Sequence, residues 1–366
     1  MLVGPLTRRD QGCHSGPTVG AYVLGRLAWA AVLVLAVTLN AYVLFFVVPT
    51  EDVSLGASFA NTTEDTGINR FQVEGSLLTG YLRFLGRLAH GDLGQSWRTR
   101  EDVTEVIGRA APATASLVIG GAILWMGFAL VIGVVSAMRP RTLFDRAGMV
   151  FVLLGIAAQP LWLGYLLAYF FGYRLGWFPI AGYCDVFRPE NGVACGGPVQ
   201  WSYHLLLPWL TFALAFAAMY ARMIRANLLE AKNEDYVRTA RAKGLSEWGT
   251  LRRHTLRNAF LPIVAMVGMD VGLAFAGAIF VERAFRIPGI GTLTITSLQR
   301  RDLPVLMGIV VVVSLAVVVC NLIADIALGV MDPRLGGRMF RLHRPQGSAP
   351  ASSLPEAARV ATVPTE

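Results

Sequence analysis

The chain has 366 residues and a formal net charge of +8; 54% of its residues are hydrophobic and only 15% are charged. A soluble globular domain is about 25% charged, so this composition excludes an ordinary soluble enzyme and points to the bilayer. A basic balance can signal nucleic acid, but in a chain this apolar it reflects the cytoplasmic bias of Lys and Arg beside membrane spans.

Residues 1–21, rich in Gly, Pro and polar side chains, read as a disordered N-terminus. Six apolar runs follow: Leu27–Val48, Ala113–Met138, Ala147–Phe171, Tyr203–Ala221, Phe260–Val281 and Leu303–Val330. A bilayer core takes roughly 20 apolar helical residues to cross. In hydrocarbon every backbone polar group must be bonded internally, so each run is expected to be a helix. The first run is longer than a signal-peptide core and has no small-residue cleavage site before Pro49, so it is expected to be retained. The expected fold is an all-α integral membrane protein with six transmembrane helices. The folded part covers residues 22–336, with an outer segment at 49–112, a cytoplasmic segment at 225–259 and a disordered tail at 337–366.

Within the outer segment, Tyr81, Leu82, Phe84, Leu85 and Leu88 follow helical spacing. Gly91-Asp92-Leu93-Gly94 breaks that helix, and Val103, Val106 and Ile107 suggest a second short one ending at Pro112. Orientation follows from the basic residues. Arg139, Arg141 and Arg146 sit in the second loop, and Arg222, Arg225, Lys232, Arg238, Arg241, Lys243, Arg252, Arg253 and Arg257 in the fourth. With six spans these share a side with both termini, so both termini are expected in the cytoplasm. Cys184 and Cys195 then share an outer, oxidising loop. Spacing alone leaves a disulfide and two free thiols both open.

The fourth loop differs from a simple connection. Leu228, Leu229, Tyr236, Val237, Ala240 and Leu245 recur near helical spacing, Gly244 reads as a helix stop, and a second helix runs toward Asn258 before Pro262. A short basic helix between two spans suits docking into a groove of another protein. No P-loop is present, because that motif needs Gly directly before Lys, whereas Lys232 follows Ala231 and Lys243 follows Ala242. No His-Glu-x-x-His or Cys-x-x-Cys occurs, so a metal enzyme has little support and no metal ligands are assigned. An intramembrane enzyme would need a catalytic constellation in the spans, and none appears. A stand-alone secondary transporter would predict an internal inverted repeat, and none is detected.

The stretch Asp235-Tyr236-Val237-Arg238-Thr239-Ala240-Arg241-Ala242-Lys243-Gly244-Leu245, with Leu256-Arg257-Asn258-Ala259-Phe260-Leu261-Pro262, resembles the coupling segment of ABC importer permeases, in particular the dipeptide, oligopeptide and nickel branch. Arg238 and Thr239 stand where the general importer pattern has Glu and Ala, as is usual in the peptide branch. Gly91-Asp92-Leu93-Gly94 with Ser96, Gly176-Trp177-Phe178-Pro179, Val281-Glu282 through Pro288-Gly289-Ile290-Gly291, Arg301-Asp302-Leu303-Pro304, and Asp332-Pro333-Arg334 resemble further motifs of that branch. Val47-Val48-Pro49-Thr50-Glu51-Asp52 departs from the family's sequence after the first span.

The resemblance implies a type I ABC importer permease fold in a bacterial inner membrane. It implies a second, related permease, two ATP-binding subunits and an extracytoplasmic substrate-binding protein as partners. No cofactor is bound by the chain itself, since ATP and Mg belong to the partner ATPases, and no nucleic acid is involved. The coupling residues would be Asp235, Tyr236, Arg238, Thr239, Ala240, Arg241, Ala242, Lys243, Gly244 and Leu245. Polar groups inside spans are costly and often functional, which makes Gln159, Asp270, Asn321 and Asp325 candidates to line the pathway. Asp270, between Gly268 and Gly272, is the sharpest, and pairing with a neighbouring helix is its alternative. The span glycines Gly120, Gly121, Gly272 and Gly277 are expected to be close-packing sites.

Overall fold

A computed structural model describes residues 19–43, 77–157, 159–186, 195–244, 246–250 and 256–331. The terminal expectations for 1–18 and 332–366, Leu245, and the departing stretch Val47–Asp52 lie outside the described residues. Those residues form helices α1 (Val19–Tyr42), α2 (Leu77–Ala89), α3 (Val103–Met138), α4 (Leu143–Ala157), α5 (Pro160–Leu167), α6 (Pro198–Ala231), α7 (Asp235–Ala242), α8 (Glu247–Thr250), α9 (Leu256–Phe285), α10 (Ile290–Arg300) and α11 (Leu303–Met331). A π-helical stretch, Ala168–Arg174, continues α5. Among the described residues, five helices are long and apolar enough to cross a membrane.

The spine of the bundle is the pair α3 and α6. The Trp209 indole N–H donates to the Ser116 carbonyl at 3.0 Å, Gly121 faces Phe212, Gly133 faces Ile224, and Lys232 Nζ donates to the Ala137 carbonyl at 2.9 Å. Both numbers rise together along these pairs, so the two helices are parallel. The other contacts run the opposite way: Asp145 with Arg225 and Gly155 with Ala218 set α4 antiparallel to α6. Gly272 with Val317 and Gly268 with Ala324 set α11 antiparallel to α9. The start of α1, the α3–α4 turn, the α7–α8 segment and the end of α11 therefore share one end of the bundle. The segment around α2, the 90–102 loop, the Cys184–Cys195 loop and α10 lie at the other.

Glycines permit these approaches. A Cβ on Gly120 would enter the Trp209 ring, and one on Gly133 would lie 2.7 Å from Ile224. Gly120, Gly121 and Gly272 are packed as expected. Gly277 is not, since a Cβ there would meet only Phe212 at 4.0 Å.

Four sequence expectations are corrected. Pro112 does not end a short helix, because it lies inside the 36-residue α3. The buried stripe Val103, Ile107, Ala110, Ala113, Thr114 and Leu117 runs unbroken past it, and Pro112 itself is exposed. Burial of that stripe outweighs the lost backbone bond, which costs about 3 kcal/mol in an isolated helix. Pro262 likewise sits inside α9, which starts at Leu256 rather than at the proline. The third apolar run does not form one helix: it divides into α4 and α5. Gln159 is extended (φ −71°, ψ 133°) and Pro160 opens α5, as expected for a residue forced out of the helical region by the proline after it. Leu228 and Leu229 also belong to the end of α6 rather than to the docking helix.

Candidate functional site

At the end bearing the Cys184–Cys195 loop, the glycine-rich motifs converge on buried carboxylates. Glu282 is fully buried near the end of α9. The Thr114 hydroxyl donates to it at 2.6 Å and the Thr292 amide at 2.8 Å. The Ile290 amide donates in turn to the Thr114 oxygen at 2.7 Å. Glu282 thus accepts from the free N–H groups that open α10 and caps that helix. A Cβ on Gly289 would overlap the Glu282 carboxylate, and one on Gly291 would lie 2.5 Å from the Ile279 Cα. Both glycines are needed so that α10 can close onto α9. The helix α10 itself was not expected from the sequence.

A second knot joins two distant motifs. The Ser96 hydroxyl and the Trp97 amide, the latter at 3.2 Å, donate to buried Asp302. Arg98 Nε donates to the Arg300 carbonyl at 2.8 Å. Asp92 bonds the Gly94 amide at 2.9 Å, and Gly91 and Gly94 both hold positive φ. Nearby, Cys184 and Cys195 form a disulfide with Cα atoms 5.4 Å apart. His204 Nδ1 lies 3.3 Å from the Cys184 sulfur and 2.9 Å from the Gln200 carbonyl. These three side chains cluster at metal-ligand distances, but both sulfurs are spent in the disulfide, so no thiolate is left to bind an ion. The Gly182 amide donates to the Phe285 carbonyl at 3.0 Å and hooks the disulfide loop to α9.

At the opposite end, buried Asp145 receives Arg225 in a two-pronged pair, Nε to Oδ1 at 2.7 Å and Nη2 to Oδ2 at 2.9 Å. The Ser136 hydroxyl and the Arg141 amide complete its shell. Arg225 beside it, aided by these two donors, holds the Asp145 carboxyl well below the usual carboxylate range. A single acid among Arg139, Arg141 and Arg146 was the sequence signal for this clamp.

Beyond the clamp hangs the short helix α7. Asp235, Arg238, Thr239 and Ala242 are exposed, at spacings of three and four that form one face. Val237 is fully buried and anchors the helix. The Lys243 amide closes the last turn onto the Thr239 carbonyl at 3.1 Å, and Gly244 turns the chain at φ +82°. The left-handed region costs other L-residues about 1–2 kcal/mol, which explains glycine there. The backbone of Tyr236, Ala240 and Arg241 lies in α7, but their side chains lie outside the described set.

The four candidate pathway residues do not converge. Gln159 is exposed at the α4–α5 break. Asp325 pairs with Arg26 of α1 at 2.9 Å and ties α1 to α11. Asn321 lies one turn away along the same shallow groove of about 320 Å³, which Arg26, Trp29 and Leu33 also line. Asp270 stands apart, accepting the Tyr220 hydroxyl at 2.5 Å.

The family model described as "binding-protein-dependent transport system inner membrane component" matches residues 129–337. A Brucella suis protein named as a peptide permease is 35% identical over 319 residues, 86% of this chain and 98% of its own. The di/tripeptide transport system permease protein DppB of Pseudomonas aeruginosa is 35% identical over 280 residues, 73% of this chain and 83% of its own. The oligopeptide transport system permease protein AppB of Bacillus subtilis is 32% identical over 320 residues, 87% and 99%. Among solved structures, an inward-facing MetNI methionine ABC transporter chain aligns with 62% of this chain and 96% of its own, at TM-score 0.48 and 14% identity. Over most of its folded length, therefore, the chain belongs to the family of binding-protein-dependent transport system inner membrane components.

Proposed function

We propose that the chain is the membrane-spanning permease subunit of an ATP-driven importer of di- or oligopeptides. Similarity across 86% of the chain to a protein named as a peptide permease carries this reading. It crosses the membrane six times, with the broken α4–α5 unit as the third crossing and both termini in the cytoplasm. A second, related permease completes the pathway, a binding protein delivers the solute outside, and two ATP-binding subunits supply the energy.

In this reading α7 is the coupling helix. Its exposed face of Asp235, Arg238, Thr239 and Ala242 seats in a cleft of an ATP-binding subunit, while buried Val237 and the Gly244 turn hold it to the bundle. The test is uptake of a labelled tripeptide into vesicles holding the permease pair, the ATP-binding subunits and the binding protein. Uptake requires ATP, and Gly244→Arg abolishes both uptake and co-purification of the ATP-binding subunits. ATP-coupled uptake retained in Gly244→Arg would overturn the coupling role. Absence of peptide uptake by the unmodified assembly would overturn the substrate.

A further inference from the structure

The acidic side chains of the bundle are matched in different ways. Asp145 is met by Arg225 and Asp325 by Arg26. Glu282 is enclosed by hydroxyl and amide donors, as is Asp302. Asp270 has neither arrangement. One phenol, that of Tyr220, donates to Oδ2. Among the described residues no Lys, Arg or His pairs with it, and Oδ1 is left without a hydrogen bond.

Its position makes this costly. Asp270 lies in the middle of α9 (Leu256–Phe285), about 20 Å from either end at 1.5 Å per residue. A carboxylate at that depth of a membrane is expensive unless a cation or water-filled space faces it. Asp270 is half-buried, and its neighbours Met269 and Leu273 are exposed, so the carboxylate is reachable from outside the chain's own core. Tyr220 is fixed in turn. It lies beside Trp125 (centroids 6.4 Å), which stacks on Phe216 (4.7 Å). This rigid aromatic group holds the phenol on Oδ2 and leaves Oδ1 open.

We infer that Asp270, whose Oδ1 is left open beside the Tyr220 bond to Oδ2, is the counter-ion for the positively charged amino group of the solute as it passes the middle of the bundle. The inference rests on the peptide reading above, since a peptide with a free amino terminus carries that charge at neutral pH. The solute's ammonium supplies the cation that the described residues do not place there, and the pairing lasts only while the solute is in transit.

The test is the ratio of uptake rates for a tripeptide with a free amino terminus and its N-acetylated form, in vesicles holding the complete importer. The unmodified importer prefers the free form by about ten-fold, the size of one charge-assisted hydrogen bond. Asp270→Asn brings the ratio to within about two-fold of unity, on the same basis, and Asp270→Glu restores most of it. Tyr220→Phe, which removes the phenol and leaves the carboxylate, keeps the preference. A ratio unchanged in Asp270→Asn, or lost in Tyr220→Phe, would overturn the inference. A ratio does not depend on how much of a variant assembles, so a folding defect does not imitate the expected result. If the unmodified importer carries neither peptide, the substrate reading fails and this inference with it. If Asp270→Asn carries both at the unmodified ratio, only this inference fails.

Discussion

The two ends of the bundle are built on opposite plans. At the disulfide end, groups from α3, α9, the start of α10, the residue before α11 and the 90–102 loop meet on two buried carboxylates, Glu282 and Asp302, and a covalent bridge closes the adjoining loop. At the other end, ion pairs between Asp145 and Arg225 and between Asp325 and Arg26 secure the body. Helix α7 beyond it presents a polar face to solvent and is anchored by Val237. One end is closed upon itself, and the other is, on the proposed function, left open for the ATP-binding subunits. Substitutions at the first should therefore register in stability, and those on α7 in association.

The largest effect is expected at Glu282. Glu282→Ala strands the Thr114 hydroxyl and the Thr292 amide in a buried site, and thermal unfolding of the purified chain should show a loss of about 3 kcal/mol. A loss below 1 kcal/mol would mean that the carboxylate does not hold α10. Removing the disulfide by Cys184→Ser with Cys195→Ser opens a short loop and should cost ~2.5 kcal/mol on the loop-entropy scale. Equal melting of the protein with and without reductant would contradict it.

A smaller effect tests the clamp through pH. Asp145 is held below the ordinary carboxylate range in the folded chain. Its contribution is thus complete above about pH 4, the ordinary value in an unfolded chain, and is lost as pH falls toward the depressed folded value. Melting temperature should fall below that pH, and Arg225→Met should flatten this acid limb while lowering stability at neutral pH. The smallest stability change is expected at Gly244. An added Cβ there meets nothing within 4 Å, so Gly244→Ala carries only backbone strain of about 1 kcal/mol. Its larger consequence should be weaker co-purification of the ATP-binding subunits. A clear fall in melting temperature with association intact would reverse the assignment of roles to the two ends.

Much of this was legible in the sequence. The apolar runs marked the long helices because hydrocarbon admits little else, and the turn at Gly244 followed from residue type. The motifs were visible too, but their partners were not. Ser96 meets Asp302 across 206 positions and Thr114 meets Glu282 across 168, and no local pattern encodes such separations. The prolines misled in both directions: Pro112 and Pro262 are carried within helices whose buried stripes continue past them, while Pro160 breaks its run. Helix α10 was missed because two glycines and a run of threonines obscure its apolar face. Asp325 reads from sequence as a pathway candidate, and only the fold shows Arg26 beside it.

The parallel pairing of α3 and α6 has a mechanical consequence. Two helices of 36 and 34 residues, each about 50 Å long and joined from Ser116–Trp209 to Ala137–Lys232, form a double beam too stiff to flex along its length. A push at the basic end reaches the disulfide end as a tilt of the whole beam. In the neighbouring unit the helical ladder is already interrupted at Gln159–Pro160, the place where such a tilt is taken up at the least cost.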